Sequence, residues 1–432
     1  MPVAIVGGGA SGTIVAAQLA RRGIRSALID GSGRMGRGVA YSTTEAVHLL
    51  NVRAEGMSAL AGEPDHFASA FEAEGGSRRG FAPRRFFATY LGAILNDAVT
   101  SGRVELVEAT ASSAERREDG WRVGFSDGSS IGAEALVLAI GNQEPEGLAA
   151  FAAAGSRFIG NPWDAGARAA VIDLASTGES ALLVGTGLTM VDLVLSLEAA
   201  GYSGRIVALS RRGLAPRGHA DFEPAAVTRD ELPRGLRPLF RWLRRRSAQV
   251  GWRAAVDSLR PYSHVLWQEF SCEEHQRFLR HARPWWDVHR HRIAPEVAAT
   301  VARMVADGRL EVVAGRILSA QGNGSGLEVE YRPRGSERSR KERFAYAFNC
   351  TGPLHSIARS SDPLLRSLLD QTEIRPDHLG IGLDVDETNR AGEHLWAMGP
   401  LTKGRYWEII AVPDIREQAA HVADAIEREL CA

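Results

Sequence analysis

Residues 3–12 read VAIVGGGASG, a short apolar run followed by glycines in the spacing G-x-G-x-x-G. The apolar run predicts a buried strand, and the helix expected to follow spans about residues 11–22. In dinucleotide-binding units these glycines provide a tight turn, close approach of a diphosphate, and close helix–strand packing. The helix N-terminus adds N–H groups that bind phosphate. The three glycines are Gly7, Gly9 and Gly12.

The next apolar run, residues 25–30, ends in an acid. Asp30 follows Gly12 by eighteen residues, where a carboxylate is suited to hydrogen-bond ribose hydroxyls. Strand, glycine loop, helix, strand and acid together predict a dinucleotide site. An ordinary tight turn between a strand and a helix is the alternative.

A second copy of this layout begins at residue 181 with ALLVGTGLTMVD. Met190 stands at the third glycine position, so we expect slightly looser packing there. The second strand of this copy ends in Ser210-Arg211-Arg212 where the first copy has Asp30. A hydroxyl and arginines accommodate a 2′-phosphate that a carboxylate would repel; a solvated arginine pair is the alternative. The predicted NADPH-binding residues are Gly185, Gly187, Leu188, Thr189, Asp192, Ser210, Arg211 and Arg212.

Two later segments are expected to complete the first unit. Residues 133–142 form an apolar strand ending at Gly141, and residues 346–353 have the same character. Near the C-terminus a strand leads into a turn at Gly399 and Pro400, and then into a closing helix after Pro413. We expect the N-terminus of that helix to lie against a flavin ring or its phosphates. The predicted ligands are thus FAD, with NAD as the alternative, at the first unit and NADPH at the second.

The predicted fold class is α/β, with two Rossmann-like dinucleotide-binding domains, one for FAD and one for NADPH, and a helical insertion. Residues 1–150 and 346–432 are assigned to the FAD domain, and residues 151–220 and 299–345 to the NADPH domain. The segment 221–298 is rich in Arg, Trp and His and has few strand-like runs. It is predicted to be the insertion.

The composition limits the kinds of molecule that the protein is expected to bind. The 432 residues carry a formal net charge of −1, which argues against nucleic acid or an anionic membrane as a partner. Cys272, Cys350 and Cys431 are too scattered for a disulfide framework or a metal site. The apolar runs are too short to span a bilayer, and the N-terminus lacks a signal-peptide layout. We therefore expect a cytoplasmic protein with no metal; a homo-oligomer is left open.

The chain resembles the flavin-dependent monooxygenases with two dinucleotide-binding domains. These include the flavin-containing monooxygenases and the siderophore N-hydroxylases. It resembles more closely a group of bacterial FAD-NAD(P)-binding proteins, over nearly its whole length. The segments that carry this likeness are GRGVAYSTTEAVHLLNVRAEGMSAL, GTGLTMVD, WWDVHRHRIAP, NCTGP, GIGLDVD and WEIIAVPDIR.

The resemblance implies roles for a few residues. In LLNVRAEGMS, Asn51 is implied to lie beside the flavin or the nicotinamide, with Met57 in the flavin site; an asparagine in a buried turn is the alternative. In FIGNPWD, Asp164 stands where flavin-containing monooxygenases have a histidine. Asn51 and Asp164 are the catalytic candidates. The implied FAD-binding residues are Gly7, Gly9, Ser11, Gly12, Asp30, Asn51, Met57, Gly141, Gly399 and Pro400.

These features together predict a monooxygenase that uses FAD and NADPH. Hydride would pass from NADPH to the flavin, and a C4a-(hydro)peroxyflavin would then oxygenate a small nucleophilic substrate, with N-hydroxylation as the favoured reaction. The expected partners are that substrate and dioxygen. Two alternatives stay open: an NADPH-dependent flavin oxidoreductase without oxygen insertion, and a non-catalytic flavin-binding redox sensor.

Overall fold

The computed structural model describes residues 1–354 and 356–430, so Cys431 and the end of the last predicted domain lie outside the described residues. The first part of the chain forms seven strands: β1 (Val3–Val6), β2 (Ser26–Ile29), β3 (Val104–Val107), β4 (Ala111–Arg117), β5 (Gly120–Phe125), β6 (Ser130–Ala133) and β7 (Ala135–Leu138). Its helices are α1 (Ala10–Arg21), α2 (Gly38–Tyr41), α3 (His66–Ala73) and α4 (Arg84–Thr100).

The middle of the chain alternates strands and helices. Its first elements are β8 (Phe158–Ile159), α5 (Ala165–Thr177), β9 (Ala181–Val184), α6 (Leu188–Ala199) and β10 (Ile206–Ser210). A helical stretch follows with α7 (Leu236–Val250), α8 (Trp252–Asp257), α9 (Ser263–Gln268), α10 (Cys272–Arg277), α11 (Arg283–Arg290) and α12 (Pro295–Ala306). Then come β11 (Leu310–Gly322), β12 (Leu327–Pro333), β13 (Arg340–Phe344) and β14 (Tyr346–Asn349). The last elements are α13 (Pro363–Asp370), β15 (Arg390–Gly392), β16 (Leu395–Ala397) and α14 (Val412–Leu430).

The chain builds the same sheet core twice. The first sheet has the strand order β15-β16-β7-β1-β2-β3, and the second has β13-β12-β11-β10-β9-β14-β8. In each sheet the strand that precedes a glycine loop lies in the middle, parallel to both neighbours: β1 between β7 and β2, and β9 between β14 and β10. This confirms the predicted α/β class with two Rossmann-like units.

Each sheet is covered on both faces because its central strand is apolar on both sides. In β1, Val3 and Ile5 pack against α1, α4 and α14, whereas Ala4 and Val6 pack against β5 and α13. The residues of β9 alternate in the same way between the α5–α6 side and β12. Burial on both faces is typical of parallel strands. Because both faces of each sheet are apolar and buried, polar groups are expected at the carboxyl edges of the strands.

Two predicted domain boundaries differ from the structure. The strand β14 was assigned to the FAD domain, but Tyr346–Asn349 pairs with β9 and β8 in the second sheet. The chain therefore returns to the first unit only after residue 349. The helix α12 begins at Pro295, inside the predicted insertion, and packs with α6 and β11 as part of the second unit.

The helical stretch between β10 and α12 rests on the C-terminal part of the first unit. Trp267 of α9 stacks on Trp407 with ring centroids 4.9 Å apart, and its indole N–H donates to the carbonyl oxygen of Gly404. The basic helix α7 buries Leu236 and Leu239 in the small cores of this stretch. Among the described residues, no helix is long and apolar enough to cross a membrane.

Candidate functional site

The first glycine loop can be built only with glycine. Gly7 has φ +107°, and a Cβ there would lie 2.4 Å from the carbonyl oxygen of Ala139 on β7. A Cβ on Gly12 would lie 1.9 Å from the carbonyl oxygen of Gly7. These contacts let α1 start directly against the carboxyl end of β1. The roles predicted for the two glycines, the tight turn and the helix–strand packing, match this geometry.

The N-terminus of α1 lies beside the loop with its N–H groups uncapped by any side chain. Gly9 is the N-cap residue, and no side chain hydrogen-bonds to the first turn. Ser11 lies in that turn, and a Cβ on Gly399 would approach its hydroxyl oxygen to 2.9 Å. The turn containing Gly399 and Pro400 therefore lies against the start of α1. Uncapped first-turn N–H groups beside a glycine loop suit a diphosphate.

Asp30 is held by the loop itself. The N–H of Gly8 donates to its Oδ2 at 2.7 Å, and the backbone N–H of Ser32 donates to its Oδ1 at 2.7 Å. The carboxylate is thus fixed at the carboxyl end of β2, next to the glycines. On β7's side of the loop, Gly141 has φ +71° and open space where a Cβ would stand. Both residues have the surroundings expected at a dinucleotide site.

Asn51 and Met57 make their contacts outside the first glycine loop. The carbonyl oxygen of Asn51 accepts a 3.0 Å hydrogen bond from Nε2 of His219, which follows the second unit's β10. Burial lowers the pKa of His219 to about 4, so this imidazole is neutral at pH 7. Met57 is buried in the core formed with α1 and α4. Asn51 thus lies where the two units meet, and Met57 has a packing role.

The second glycine loop repeats the first. Gly185 has φ +117°, and a Cβ there would lie 2.3 Å from the carbonyl oxygen of Cys350 on the chain leaving β14. Gly187 is the N-cap of α6, with no side-chain cap and open space where a Cβ would stand. Leu188 and Thr189 form the first turn. The fully buried Met190 stands where the first unit has its third glycine.

Backbone register makes the two strand ends directly comparable. The N–H of Gly7 donates to the last residue of β2, and the N–H of Gly185 donates to Leu209 in the same way. Asp30 and Ser210, the next residues, therefore occupy equivalent positions in the two units. One position carries a carboxylate and the other a hydroxyl.

The hydroxyl of Ser210 takes part in a small local network. It lies 2.9 Å from the hydroxyl of Thr186, the residue between the two glycines, and accepts from the N–H of Gly213 at 3.0 Å. Arg211 is exposed and Arg212 half-buried, directly after the strand. The second unit therefore has two hydroxyls where the first has a carboxylate, and two arginines follow directly in the chain.

Asp192 has a structural role that the sequence analysis did not predict. Its carboxylate accepts two hydrogen bonds, both 2.9 Å, from the guanidinium of Arg84 at the start of α4. Nε2 of His48 lies 3.0 Å from the backbone oxygen of Asp192. Both partners belong to the first unit, so Asp192 joins the two units, and its predicted contact with NADPH stays a prediction. Arg84 and His48 escaped the sequence analysis because they are distant in the chain.

Asp164, the second catalytic candidate, is a helix cap. Its Oδ1 accepts from the N–H of Ala167 at 2.8 Å, and its side chain stands exposed at the start of α5. Aspartate is a preferred N-cap residue because its carboxylate satisfies a free N–H of the first turn. The structure therefore gives Asp164 a capping role, and its catalytic role stays a prediction.

The helical stretch adds charged groups that the sequence analysis did not single out. Glu408, only 4% exposed, accepts from the indole N–H of Trp286 at 2.8 Å and from Nε of Arg290 at 3.0 Å. Burial alone would raise the pKa of Glu408, but Arg290 and His291 more than offset this and hold the pKa below its ordinary value. An ionised pair therefore fixes α11 to the first unit.

Comparisons with known proteins address the fold and the first unit. Residues 4–143 match a protein-family model described as FAD-NAD(P)-binding. A search of curated protein sequences returns no match. The L-lysine 6-monooxygenase of Pseudomonas syringae is a similar solved structure, with a TM-score of 0.70, 17% identity and 99% of each chain covered. The chain therefore shares the overall fold of this structure, and its first 143 residues include the match to an FAD-NAD(P)-binding family.

Two other solved structures are also similar over nearly the whole of this chain. The ornithine N-hydroxylase of Kutzneria sp. 744, solved with reduced FAD, NADP⁺ and L-ornithine, has a TM-score of 0.68, 16% identity and 99% of each chain covered. The thioredoxin reductase of T. acidophilum has a TM-score of 0.59 and 12% identity, covering 100% of this chain and 98% of the other. The resemblance inferred from sequence is confirmed at the level of fold and of the FAD-NAD(P)-binding first unit.

The residues present fit two dinucleotides. Both helices α1 and α6 have a glycine N-cap and no side-chain cap, so their first-turn N–H groups are available to phosphate oxygens. Open space at Gly141 and Gly187 allows close approach of a ligand to the backbone. Among the described residues, no group of three or more metal-ligating side chains occurs.

Proposed function

We propose that the protein is a monooxygenase that uses FAD in the first unit and NADPH in the second. The observation that carries this assignment is the pair of equivalent positions Asp30 and Ser210. A carboxylate beside the first loop suits ribose hydroxyls, as in FAD. A hydroxyl followed by two arginines suits a 2′-phosphate, as in NADPH.

The chain's own residues supply binding, orientation and exclusion of water. The first-turn N–H groups of α1 and α6 would hold the two diphosphates, and the glycines permit their close approach. The helical stretch, fixed by Glu408 and Arg290, covers the C-terminal part of the first unit. Bound flavin supplies the redox chemistry, by accepting a hydride from NADPH and passing electrons to dioxygen.

The favoured reaction is N-hydroxylation of a small amine. Two of the similar structures are an L-lysine 6-monooxygenase and an ornithine N-hydroxylase, and each matches over 99% of this chain. A thiol–disulfide reductase is disfavoured, although the fold also resembles thioredoxin reductase, because the sequence has no closely spaced cysteine pair. L-Lysine and L-ornithine are the first substrates to test.

The test follows the flavin spectrum of the holoprotein in a stopped-flow instrument. The protein is reduced anaerobically with NADPH, or with NADH as the control, and then mixed with oxygenated buffer containing each amine. We expect faster reduction by NADPH, a transient absorbing species during reoxidation, and ¹⁸O from ¹⁸O₂ in the hydroxylamine product.

Three outcomes separate the alternatives. Reduction by NADPH followed by direct reoxidation and no labelled product, across a panel of amines and sulfides, would favour an oxidoreductase without oxygen insertion. Labelled sulfoxide instead of hydroxylamine would keep the monooxygenase and change its substrate. No reduction by either nicotinamide would favour the redox-sensor alternative.

A further inference from the structure

Lysine is rare in this chain, and one of its lysines lies in an unusual place. The 51 lysine and arginine residues include only two lysines, Lys341 and Lys403. Lys341 is exposed on β13 and pairs with Glu328 at 3.6 Å. Lys403 follows the turn at Gly399 that lies against the start of α1.

The ammonium group of Lys403 lies at the carboxyl edge of the first sheet. Its Nζ donates to Oδ1 of Asn142 at 3.3 Å. Asn142 directly follows Gly141 in the segment just after β7. An amide oxygen is a neutral acceptor. Among the described residues, no carboxylate lies within 4.0 Å of this ammonium group, so its charge is left without a direct counter-ion.

Arg283 of α11 is a second cation near Lys403, close enough for its charge to lower the pKa of that lysine. The guanidinium of Arg283 packs over the ring of Trp407, with its central carbon 5.5 Å from the ring centroid. Asp287, one turn along α11, is shared: Arg283 Nε lies 3.3 Å from Oδ2, and His291 Nε2 lies 3.9 Å from Oδ1. The Asp287 carboxylate thus pairs with Arg283 and lies farther than 4.0 Å from Nζ of Lys403.

The electrostatics of Lys403 agree with this geometry. Burial, together with a repulsion from Arg283 that outweighs the attraction of Asp287, lowers the pKa of Lys403 to about 8. Arginine would keep its charge in such surroundings, whereas the lysine amine can lose its proton. A cation so placed gains most from a bound anion.

We propose that Lys403 and Arg283 form a binding site for an oxyanion at the carboxyl edge of the first sheet, beside the chain that follows Gly141. The oxyanion is a phosphate of the dinucleotide held by the first unit or a carboxylate of the substrate. Both present oxygen atoms that accept charge-assisted hydrogen bonds from an ammonium and a guanidinium. The site is independent of whether oxygen is inserted into a substrate.

The scarcity of lysine makes a direct test possible. Reductive methylation with ¹³C-formaldehyde labels three amines, namely Lys341, Lys403 and the N-terminal amine of Met1. Their NMR signals are assigned with the Lys341→Met and Lys403→Met variants, and each pKa is read from a pH titration. In FAD-free full-length protein we expect the Lys403 signal to titrate well below the Lys341 signal.

Two additions distinguish the source of the oxyanion. If FAD raises the pKa of Lys403 by about one unit or more, the anion is a phosphate of the cofactor. If FAD leaves it unchanged but acetate raises it in the holoprotein, the anion is a substrate carboxylate. If neither ligand raises it, the proposal is overturned. The Lys341 signal should not move in any case.

A second measurement uses protein that has not been methylated. Dissociation constants for FAD and for acetate are compared among unmodified Lys403→Met, Lys403→Arg and Lys341→Met proteins. We expect Lys403→Met to bind one of the two ligands about tenfold more weakly, with Lys403→Arg largely restored. Equal affinities in all three would sink the proposal. Because these are binding measurements, they can succeed in a protein that oxygenates nothing.

Discussion

The guanidinium of Arg84 makes two 2.9 Å hydrogen bonds to the carboxylate of Asp192, and so ties the first dinucleotide-binding unit to the second. The side chains are only 12% and 9% exposed, which separates this pair from the many surface ion pairs of the molecule. His48 reinforces the junction through the backbone of Asp192. The placement of the two units relative to each other therefore depends in part on this buried ion pair.

Breaking this pair should cost stability more than cofactor affinity. We expect Arg84→Met to lower the free energy of unfolding by about 3 kcal/mol, because it leaves the Asp192 carboxylate buried without its partner. Chemical denaturation gives the stability, and fluorescence titration gives the NADPH affinity. The matched control is Arg78→Met, which removes exposed ion pairs with Asp65 and Glu72 and should cost clearly less stability than Arg84→Met. Equal losses in both variants would contradict the structural role of Asp192.

Nicotinamide preference should follow the charge at position 210. Ser210→Asp places a carboxylate where the first unit has Asp30, and we expect the affinity for NADPH to fall by about 10- to 100-fold while that for NADH changes little. Ser210→Asn has nearly the same shape without the charge and should keep most of the preference. Dissociation constants for both nucleotides check this. A similar loss of NADH binding in Ser210→Asp would point to a damaged loop instead.

The first loop should not tolerate a side chain. In Gly7→Ala the new Cβ would meet the carbonyl oxygen of Ala139 at 2.4 Å, in a backbone conformation with φ +107° that alanine rarely adopts. We expect loss of bound flavin and a lower melting temperature. Gly92→Ala, in the interior of α4 with open space around it, should be neutral or stabilise the protein by up to about 1 kcal/mol. The flavin-to-protein absorbance ratio and a thermal melt report both effects.

Stability should depend on pH through His219. Its pKa in the fold is about 4, below the ordinary value of 6.5, so the unfolded chain binds the proton more readily. The stabilising contribution is therefore full above about pH 6.5 and is lost as the pH falls toward 4, by up to about 3 kcal/mol. In His219→Gln the amide can still donate to Asn51 but does not titrate. Unfolding free energies at several pH values should fall less steeply for that variant; parallel curves would rule out His219 as a main source.

Asp164 should prove structural. Asp164→Ala removes the cap of α5 and should cost about 1 kcal/mol of stability, whereas Asp164→Asn keeps a capping oxygen and should cost little. Neither change should alter the rate of flavin reduction by NADPH. A slow reaction in the well-folded Asp164→Asn variant would support the catalytic role that the sequence suggested.

The sequence predicted well what depends on neighbours in the chain. The glycine loops, their helices and Asp30 are local features, because the turn and the helix start lie within a few residues of each other. The pair of Asp192 with Arg84 was not predicted because Arg84 is 108 residues away, and no local pattern reveals such a pair. The boundary at residue 346 failed for a related reason. The apolar runs of β7 and β14 look alike, and nothing within either run tells which sheet it will join.

The late position of β16 and α14 has a consequence for synthesis. Both complete the first unit: β16 extends its sheet beside β7, and α14 covers α1 in its core. The second unit and the helical stretch precede β16 and α14 in the chain, so they leave the ribosome before the first unit is complete. Until the last helix emerges, one face of α1 stays exposed to chaperones and proteases. A stop codon that removes only the final few dozen residues would therefore leave an intact second unit attached to a first unit that cannot close.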